Sequence, residues 1–172
     1  MKLLKKIKKA DLFFAIVLLI LFFIRLPSIM DSYKIEGMLV GELKFIHLNL
    51  PPEKLTQKDS KKILVFWATW CGPCKIEMYR FNQAIKNKEL HKEQVIFINM
   101  QESVQTIKKF LYKNDFDLTI ALDQNSKLSR MFKITSTPTI VYINRMNIVH
   151  HVATGLSPLL IFRATWFLDK RS

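Results

Sequence analysis

Short apolar runs of strand length alternate along this chain with longer segments whose apolar residues recur at helical spacing. Residues 63–68 and 94–99 are almost continuously apolar. Such runs are typical of strands buried on both faces of a sheet. Between them, Pro73 suits the first turn of a helix, where its missing N–H is not needed. The helix is predicted to reach about Lys88, with these apolar positions: Ile76, Met78, Phe81 and Ile85.

The same pattern continues to the C-terminus. It predicts helices over residues 103–112, 125–132 and 157–168, and strands over residues 117–122, 139–143 and 148–153. Residues 43–48 alternate loosely and predict one earlier strand. Strands alternating with helices, then a hairpin and a closing helix, imply a three-layer α/β sandwich. This domain is assigned to residues 63–172, after a lead-in segment over residues 31–62.

The N-terminal 30 residues follow a different pattern, a lysine-rich stub and then an apolar block from Leu12 to Ile24. With its flanks the block reaches roughly 20 residues, the length of a helix that spans a bilayer. The uninterrupted part also fits a signal peptide, but no small-residue cleavage site follows it. The pattern therefore favours an uncleaved transmembrane signal-anchor over residues 1–30.

Charge asymmetry sets the expected orientation of this anchor. Five lysines precede the apolar block, whereas only Arg25 and Lys34 follow it closely. By the positive-inside rule the N-terminus is cytoplasmic, and the chain from about Asp31 lies outside the membrane. Disulfides persist in that compartment.

Composition narrows the possible functions. The net charge is +13, but no basic run is interleaved with aromatic residues, so we expect a solvated basic surface and no nucleic-acid partner. Two cysteines exclude a multi-disulfide scaffold and a four-cysteine zinc site. His150 and His151 are adjacent and would point to opposite faces of a strand, so no metal site is predicted. No cofactor is indicated either.

The two cysteines carry the chemistry. Cys71 and Cys74 lie where a buried strand gives way to a helix. Unpaired N–H groups and the helix dipole at this terminus stabilise a Cys71 thiolate, which makes Cys71 the expected nucleophile. Cys74 lies one turn further on, where it can attack a mixed disulfide on Cys71. Gly72 permits close backbone approach and Pro73 keeps the turn rigid. A purely structural bridge closing so small a loop would add little stability.

Two segments resemble a known family. Residues 66–75 (Phe-Trp-Ala-Thr-Trp-Cys-Gly-Pro-Cys-Lys), with Glu77 and Met78 after them, resemble the membrane-anchored thioredoxin-like proteins of the TlpA/ResA type. The segment Thr137-Pro138-Thr139 is similar to the cis-proline strand of that family. The resemblance implies a thioredoxin-like fold, with a central mixed sheet flanked by helices. It also implies action on cysteines of exported proteins, often apocytochrome c, and a membrane electron donor or acceptor as partner.

The resemblance also implies roles for single residues. Pro138 would follow a cis peptide bond and leave the backbone of Thr137 free to pair with an extended substrate. Trp70 would form part of the docking surface, beside Gly72 and Pro73. Glu77 would move protons at the buried Cys74 as a general base. The alternative for Glu77 is a surface carboxylate paired with a nearby Lys or Arg.

The leading hypothesis is a membrane-tethered thiol–disulfide oxidoreductase that works as a reductase, since its Gly-Pro dipeptide resembles that of reducing thioredoxins. A disulfide-donating oxidase or isomerase on the same fold is the first alternative. A non-catalytic assembly or chaperone scaffold is the second. A thiol peroxidase is disfavoured, because Ala68 and Leu64 stand where that class needs Thr or Ser and Pro.

Overall fold

A computed structural model describes residues 13–20, 35–41, 46–48, 60–123 and 125–169. The strands are β1 (Ile46–His47), β2 (Lys62–Trp67), β3 (Val95–Asn99), β4 (Thr119–Leu122), β5 (Thr139–Ile143) and β6 (Val149–Thr154). The α-helices of the domain are α1 (Gly72–Lys86), α2 (Val104–Lys113), α3 (Lys127–Met131) and α4 (Leu160–Asp169). A short 3₁₀ helix, Lys92–Gln94, leads into β3.

The strands form one six-stranded mixed sheet in the order β1-β4-β3-β2-β5-β6. Strands β2, β3 and β4 are parallel, while β1, β5 and β6 pair antiparallel with their neighbours. The four strands inside the two edge strands, β4, β3, β2 and β5, have almost only buried residues, as expected for strands covered on both faces. The mixed central sheet predicted from the sequence is thus confirmed.

Successive side chains of the central strands enter two different cores, because side chains alternate across a sheet. In β2, Ile63, Val65 and Trp67 join the core that helices α1, α2 and α4 cover. Leu64 and Phe66 join the opposite core, which contains residues of α3 and of the segment 35–40. The helices therefore lie on both faces of the sheet, and the predicted three-layer arrangement is confirmed.

The predicted elements of residues 63–172 are all present, with shifts at their ends. The largest shift is in α4, which begins at Leu160 instead of Ser157, because backbone groups of Ser157 and Pro158 bond to α1. Of the predicted strand 43–48, Ile46 and His47 are in β1, and residues 43–45 lie outside the described residues.

Residues 13–20 are helical. Among the residues that the structure describes, no helix has both the length and the hydropathy needed to cross a bilayer. Most of the predicted anchor, and most of the lead-in segment, lie outside the described residues, so both stay predictions.

Candidate active site

The cysteine pair lies at the carboxyl end of β2, at the start of α1. Cys71 is the N-cap residue of α1, and its sulfur accepts a hydrogen bond from the Cys74 N–H at 3.1 Å. Cys71 and Cys74 form a disulfide, with their Cα atoms 5.3 Å apart. Pro73 lies in the first turn, as predicted. Helix geometry therefore brings the two sulfurs together at the positive end of the helix dipole.

The two cysteines differ little in exposure when they are oxidised. Cys71 is 4% exposed and Cys74 is 1% exposed. A nucleophile must be reached by its substrate, but the disulfide within the first helical turn packs both sulfurs against the core beneath α1. Trp70, immediately before Cys71, is 78% exposed. Its ring is therefore available to a docking partner, whereas an attacking group has access only to a small area at Cys71.

The Thr137-Pro138 segment lies at the same end of the sheet. The peptide bond between these residues is cis, as predicted. The next residue, Thr139, pairs with Phe66 near the end of β2, from which the chain continues to Cys71. The Pro138 carbonyl accepts a hydrogen bond from the Gly155 N–H at 2.8 Å. Strand pairing thus places the predicted docking peptide beside the loop that carries the cysteines.

Glu77 is fully buried, on the same side of α1 as Cys74. One carboxylate oxygen accepts the Ser157 N–H at 2.7 Å. The other accepts an N–H of Arg80 at 2.9 Å. Glu77 is therefore not the surface carboxylate of our alternative, although it does have a basic partner. Its predicted role as a general base stays a prediction.

A polar cluster that the sequence analysis missed holds the segment before Cys71. The Glu102 carboxylate accepts hydrogen bonds from the Thr69 N–H at 2.7 Å and from the Thr69 hydroxyl. The Asn99 side-chain amide donates to the same carboxylate at 2.7 Å. Asn99 is a polar residue that closes the otherwise apolar strand β3, next to β2. That position could have suggested the cluster, since adjacent parallel strands end at the same edge.

Tyr142 is a buried titratable group in the core behind α1. Burial is the main cause that raises the pKa of its phenol to about 12. The positive charge of Arg163 opposes the shift, and the negative charge of Glu77 adds to it. Among the described residues its hydroxyl has no hydrogen-bond partner. Burial therefore favours the neutral phenol in the folded state.

The histidines considered as metal ligands diverge, as predicted for neighbours on a strand. His150 stacks on Phe167, whereas Nδ1 of His151 lies 2.9 Å from a carboxylate oxygen of Glu36. Within the described ranges, no group of three or more potential metal-ligating side chains occurs.

Comparison with known proteins assigns the family. The model of the AhpC/TSA family matches residues 51–171, well over half of the chain. The chain belongs to the AhpC/TSA family. Among solved structures, a thiol:disulfide interchange protein of the thioredoxin family from Chlorobium tepidum is similar with a TM-score of 0.61 and 20% identity. The similarity covers 76% of this chain and 94% of that protein, and it shows a shared fold.

Curated members with similar sequences bear the names expected from the resemblance. The thiol-disulfide oxidoreductase ResA of Bacillus cereus is 27% identical over 115 residues, 64% of this chain and 66% of that protein. The sporulation thiol-disulfide oxidoreductase A of Bacillus subtilis is 27% identical over 104 residues, 59% of this chain and 63% of that protein. The matches thus span slightly less than two thirds of both relatives. They confirm the resemblance to proteins of the ResA type.

Proposed function

We propose that this AhpC/TSA-family protein is a thiol–disulfide oxidoreductase that reduces disulfides of exported proteins. The observation that carries the proposal is the Cys71–Cys74 disulfide at the N-terminus of α1, beside the Thr137-Pro138 peptide. The names of the relatives from Bacillus support the same reaction class. The Gly72-Pro73 dipeptide, which resembles that of reducing thioredoxins, supports the reducing direction.

In the proposed reaction, the reduced protein transfers two electrons to its substrate. The Cys71 thiolate attacks one sulfur of the substrate disulfide, and the other substrate sulfur leaves as a thiolate that takes up a proton. Cys74 then loses its proton and attacks the Cys71 sulfur. This step releases the second substrate thiol and forms the Cys71–Cys74 disulfide. Glu77, one helical turn beyond Cys74, is the proposed acceptor of the Cys74 proton.

The substrate is proposed to bind as an extended chain. The backbone of Thr137 would pair with it in the manner of an added strand, and the exposed Trp70 ring would cover its apolar side chains. The resemblance suggests apocytochrome c, whose haem-attachment motif contains two cysteines, as one substrate.

We further propose that the domain is tethered to the outer side of the cytoplasmic membrane. The apolar block that follows five N-terminal lysines supports this location. A membrane protein that supplies electrons would then reduce the Cys71–Cys74 disulfide after each turnover. We expect the protein to resist extraction from membranes by carbonate. We also expect the domain to be accessible to protease only from outside the cell. Release of the full-length chain by carbonate would contradict the tether.

Trapping of a mixed disulfide tests the proposed reaction. The full-length chain in detergent is first reduced with dithiothreitol, freed of it, and then incubated with an oxidised peptide that contains a Cys-x-x-Cys-His motif. Cys74→Ser should form a stable mixed disulfide through Cys71, and wild type should release reduced peptide. Cys71→Ser is the matched control and should form little adduct. Equal adducts with both variants, or none with Cys74→Ser, would contradict the assignment.

A further inference from the structure

Arg80 connects the cysteine helix to the loop between β6 and α4. One guanidinium nitrogen of Arg80 donates to the Ser157 carbonyl at 2.6 Å and to Glu77 at 2.9 Å. The other nitrogen donates to the Pro158 carbonyl at 2.8 Å. The planar guanidinium suits this fork of acceptors, which a lysine ammonium on a flexible stem would match less well.

Glu77 completes the connection from the same helix. Its carboxylate accepts the Ser157 N–H, so both backbone polar groups of Ser157 bond to side chains of α1. Glu77 is fully buried and Arg80 is partly buried, so water competes only weakly for these bonds. The loop is therefore fixed at a defined position along α1.

The same loop also holds the docking peptide. Gly155, two residues before Ser157, has a φ of 81°, a left-handed conformation that glycine adopts without strain. Its N–H donates to the Pro138 carbonyl at 2.8 Å. Pro138 and the cysteines lie in separate parts of the chain, and this loop bonds both to Pro138, just before β5, and to α1.

We infer that Arg80 is a positioning residue of the redox site. It fixes the 155–158 loop to α1, and through Gly155 it sets the position of the Thr137-Pro138 peptide relative to Cys71. This inference rests on the proposed function, because Thr137 must align a substrate disulfide with Cys71. Arg80 is not placed at the reacting sulfurs, so it acts through its neighbours. It acts on substrate alignment through the loop, and on Glu77, the proposed proton acceptor, through their ion pair.

The alignment of a substrate disulfide with Cys71 is sensitive to small displacements. A shift of about 1 Å in a reacting geometry can lower a rate by about 100-fold. Loss of the guanidinium should therefore weaken productive substrate binding. The reduction potential of the cysteine pair should change little, because the helix N-terminus around Cys71 stays intact.

The test compares Arg80→Met and Arg80→Lys with Lys86→Met in the full-length chain. Lys86 is a matched control, because it is another basic residue of α1 that pairs with a carboxylate. The readouts are KM and kcat for the oxidised peptide with dithiothreitol as electron donor and the uncatalysed rate subtracted, the reduction potential, and amide hydrogen exchange of residues 155–157. Arg80→Lys keeps the positive charge beside Glu77, so it should fold even if Arg80→Met does not.

We expect Arg80→Met to raise KM by about 10-fold and to accelerate exchange at Gly155 and Ser157. Its kcat should fall as well, because Glu77 loses its charge partner, whereas Arg80→Lys keeps that charge and should change kcat by less than about 3-fold. Arg80→Lys should be intermediate and Lys86→Met unchanged. Unchanged exchange in both Arg80 variants, or an unchanged KM with an active wild type, would overturn the inference. An inactive wild type would contradict the proposed function, and it would also contradict a role for Arg80 in substrate binding. Accelerated exchange would then show only that Arg80 holds the loop.

Discussion

Helix α1 carries two basic side chains that pair with carboxylates in opposite surroundings. Near the middle of the helix, Arg80 pairs with the fully buried Glu77, and both bond to the 157–158 backbone. At the C-terminal end, Lys86 pairs with Asp115 at 2.8 Å, and both side chains are exposed. Solvent screens the second pair, and its charges are free to separate without desolvation cost.

The comparison shows that the hydrogen-bond partners around an ion pair determine whether it fixes two elements of the fold against each other. The Arg80–Glu77 pair bonds to backbone groups of a distant loop, so it fixes one element against another. The Lys86–Asp115 pair joins two flexible side chains at the surface. Removing one partner of a buried pair leaves an uncompensated charge, which costs far more than loss of a surface pair. Substitutions of Glu77 and Lys86 test this difference directly, and substitutions of Glu102 and Tyr142 extend it to other polar groups.

Replacing the buried carboxylate should have the largest effect. Glu77→Leu leaves Arg80 without its charge partner and the Ser157 N–H without an acceptor. We expect the free energy of unfolding to fall by about 3 kcal/mol, measured by urea denaturation with the disulfide intact. Glu77→Gln, which keeps an acceptor for Ser157, should lose less. Equal and small losses in both variants would show that the buried pair behaves like the surface pair.

The Glu102 cluster should give the next largest effect, on turnover. Glu102→Ala removes two hydrogen bonds from Thr69, just before Cys71. Because the cysteine loop would then be less well positioned, kcat/KM should fall by about 10-fold in a peptide-reduction assay. Glu93→Ala, at an exposed site, is the control and should be neutral. An unchanged kcat/KM in Glu102→Ala would show that this cluster does not position the cysteine loop for the reaction.

Tyr142 extends the comparison to pH. Its pKa is raised to about 12 from the ordinary value of 10.0, chiefly by burial. The stability contributed by the neutral phenol is full below pH 10 and is lost as the pH rises towards about 12. Between pH 9 and pH 11, the free energy of unfolding of wild type should therefore fall by about 1 kcal/mol more than that of Tyr142→Phe. Parallel pH profiles would contradict this expectation.

The surface pair should give the smallest effect. Lys86→Met should leave the denaturation midpoint and turnover unchanged. The hydrogen bond and positive charge of Lys86 hold the pKa of Asp115 below its usual range. The Asp115 pKa should therefore rise in the variant, as measured by NMR titration of its carboxyl carbon. A marked loss of stability in Lys86→Met would contradict the difference between the buried and the exposed ion pair of α1.

Much of this architecture could be predicted from local patterns. The apolar runs in β2 and β3 and the Cys71–Cys74 spacing each depend on residues close in sequence. The contacts of Arg80 with the 157–158 backbone could not be predicted, since Ser157 and Pro158 lie 77 and 78 positions away. The late start of α4 has the same cause. The Thr69–Glu102 contact depends on how β2 and β3 align at their ends, which hydrophobic periodicity alone does not specify.

The equilibrium reduction potential of the Cys71/Cys74 pair tests the proposed reducing function most directly. It is measured on the full-length chain against dithiothreitol and glutathione buffers of known potential. We predict a value near that of thioredoxin, about −270 mV, which would suit a reductant resupplied with electrons through the membrane. A value near that of the strongly oxidising DsbA, about −120 mV, would contradict the account and identify a disulfide donor.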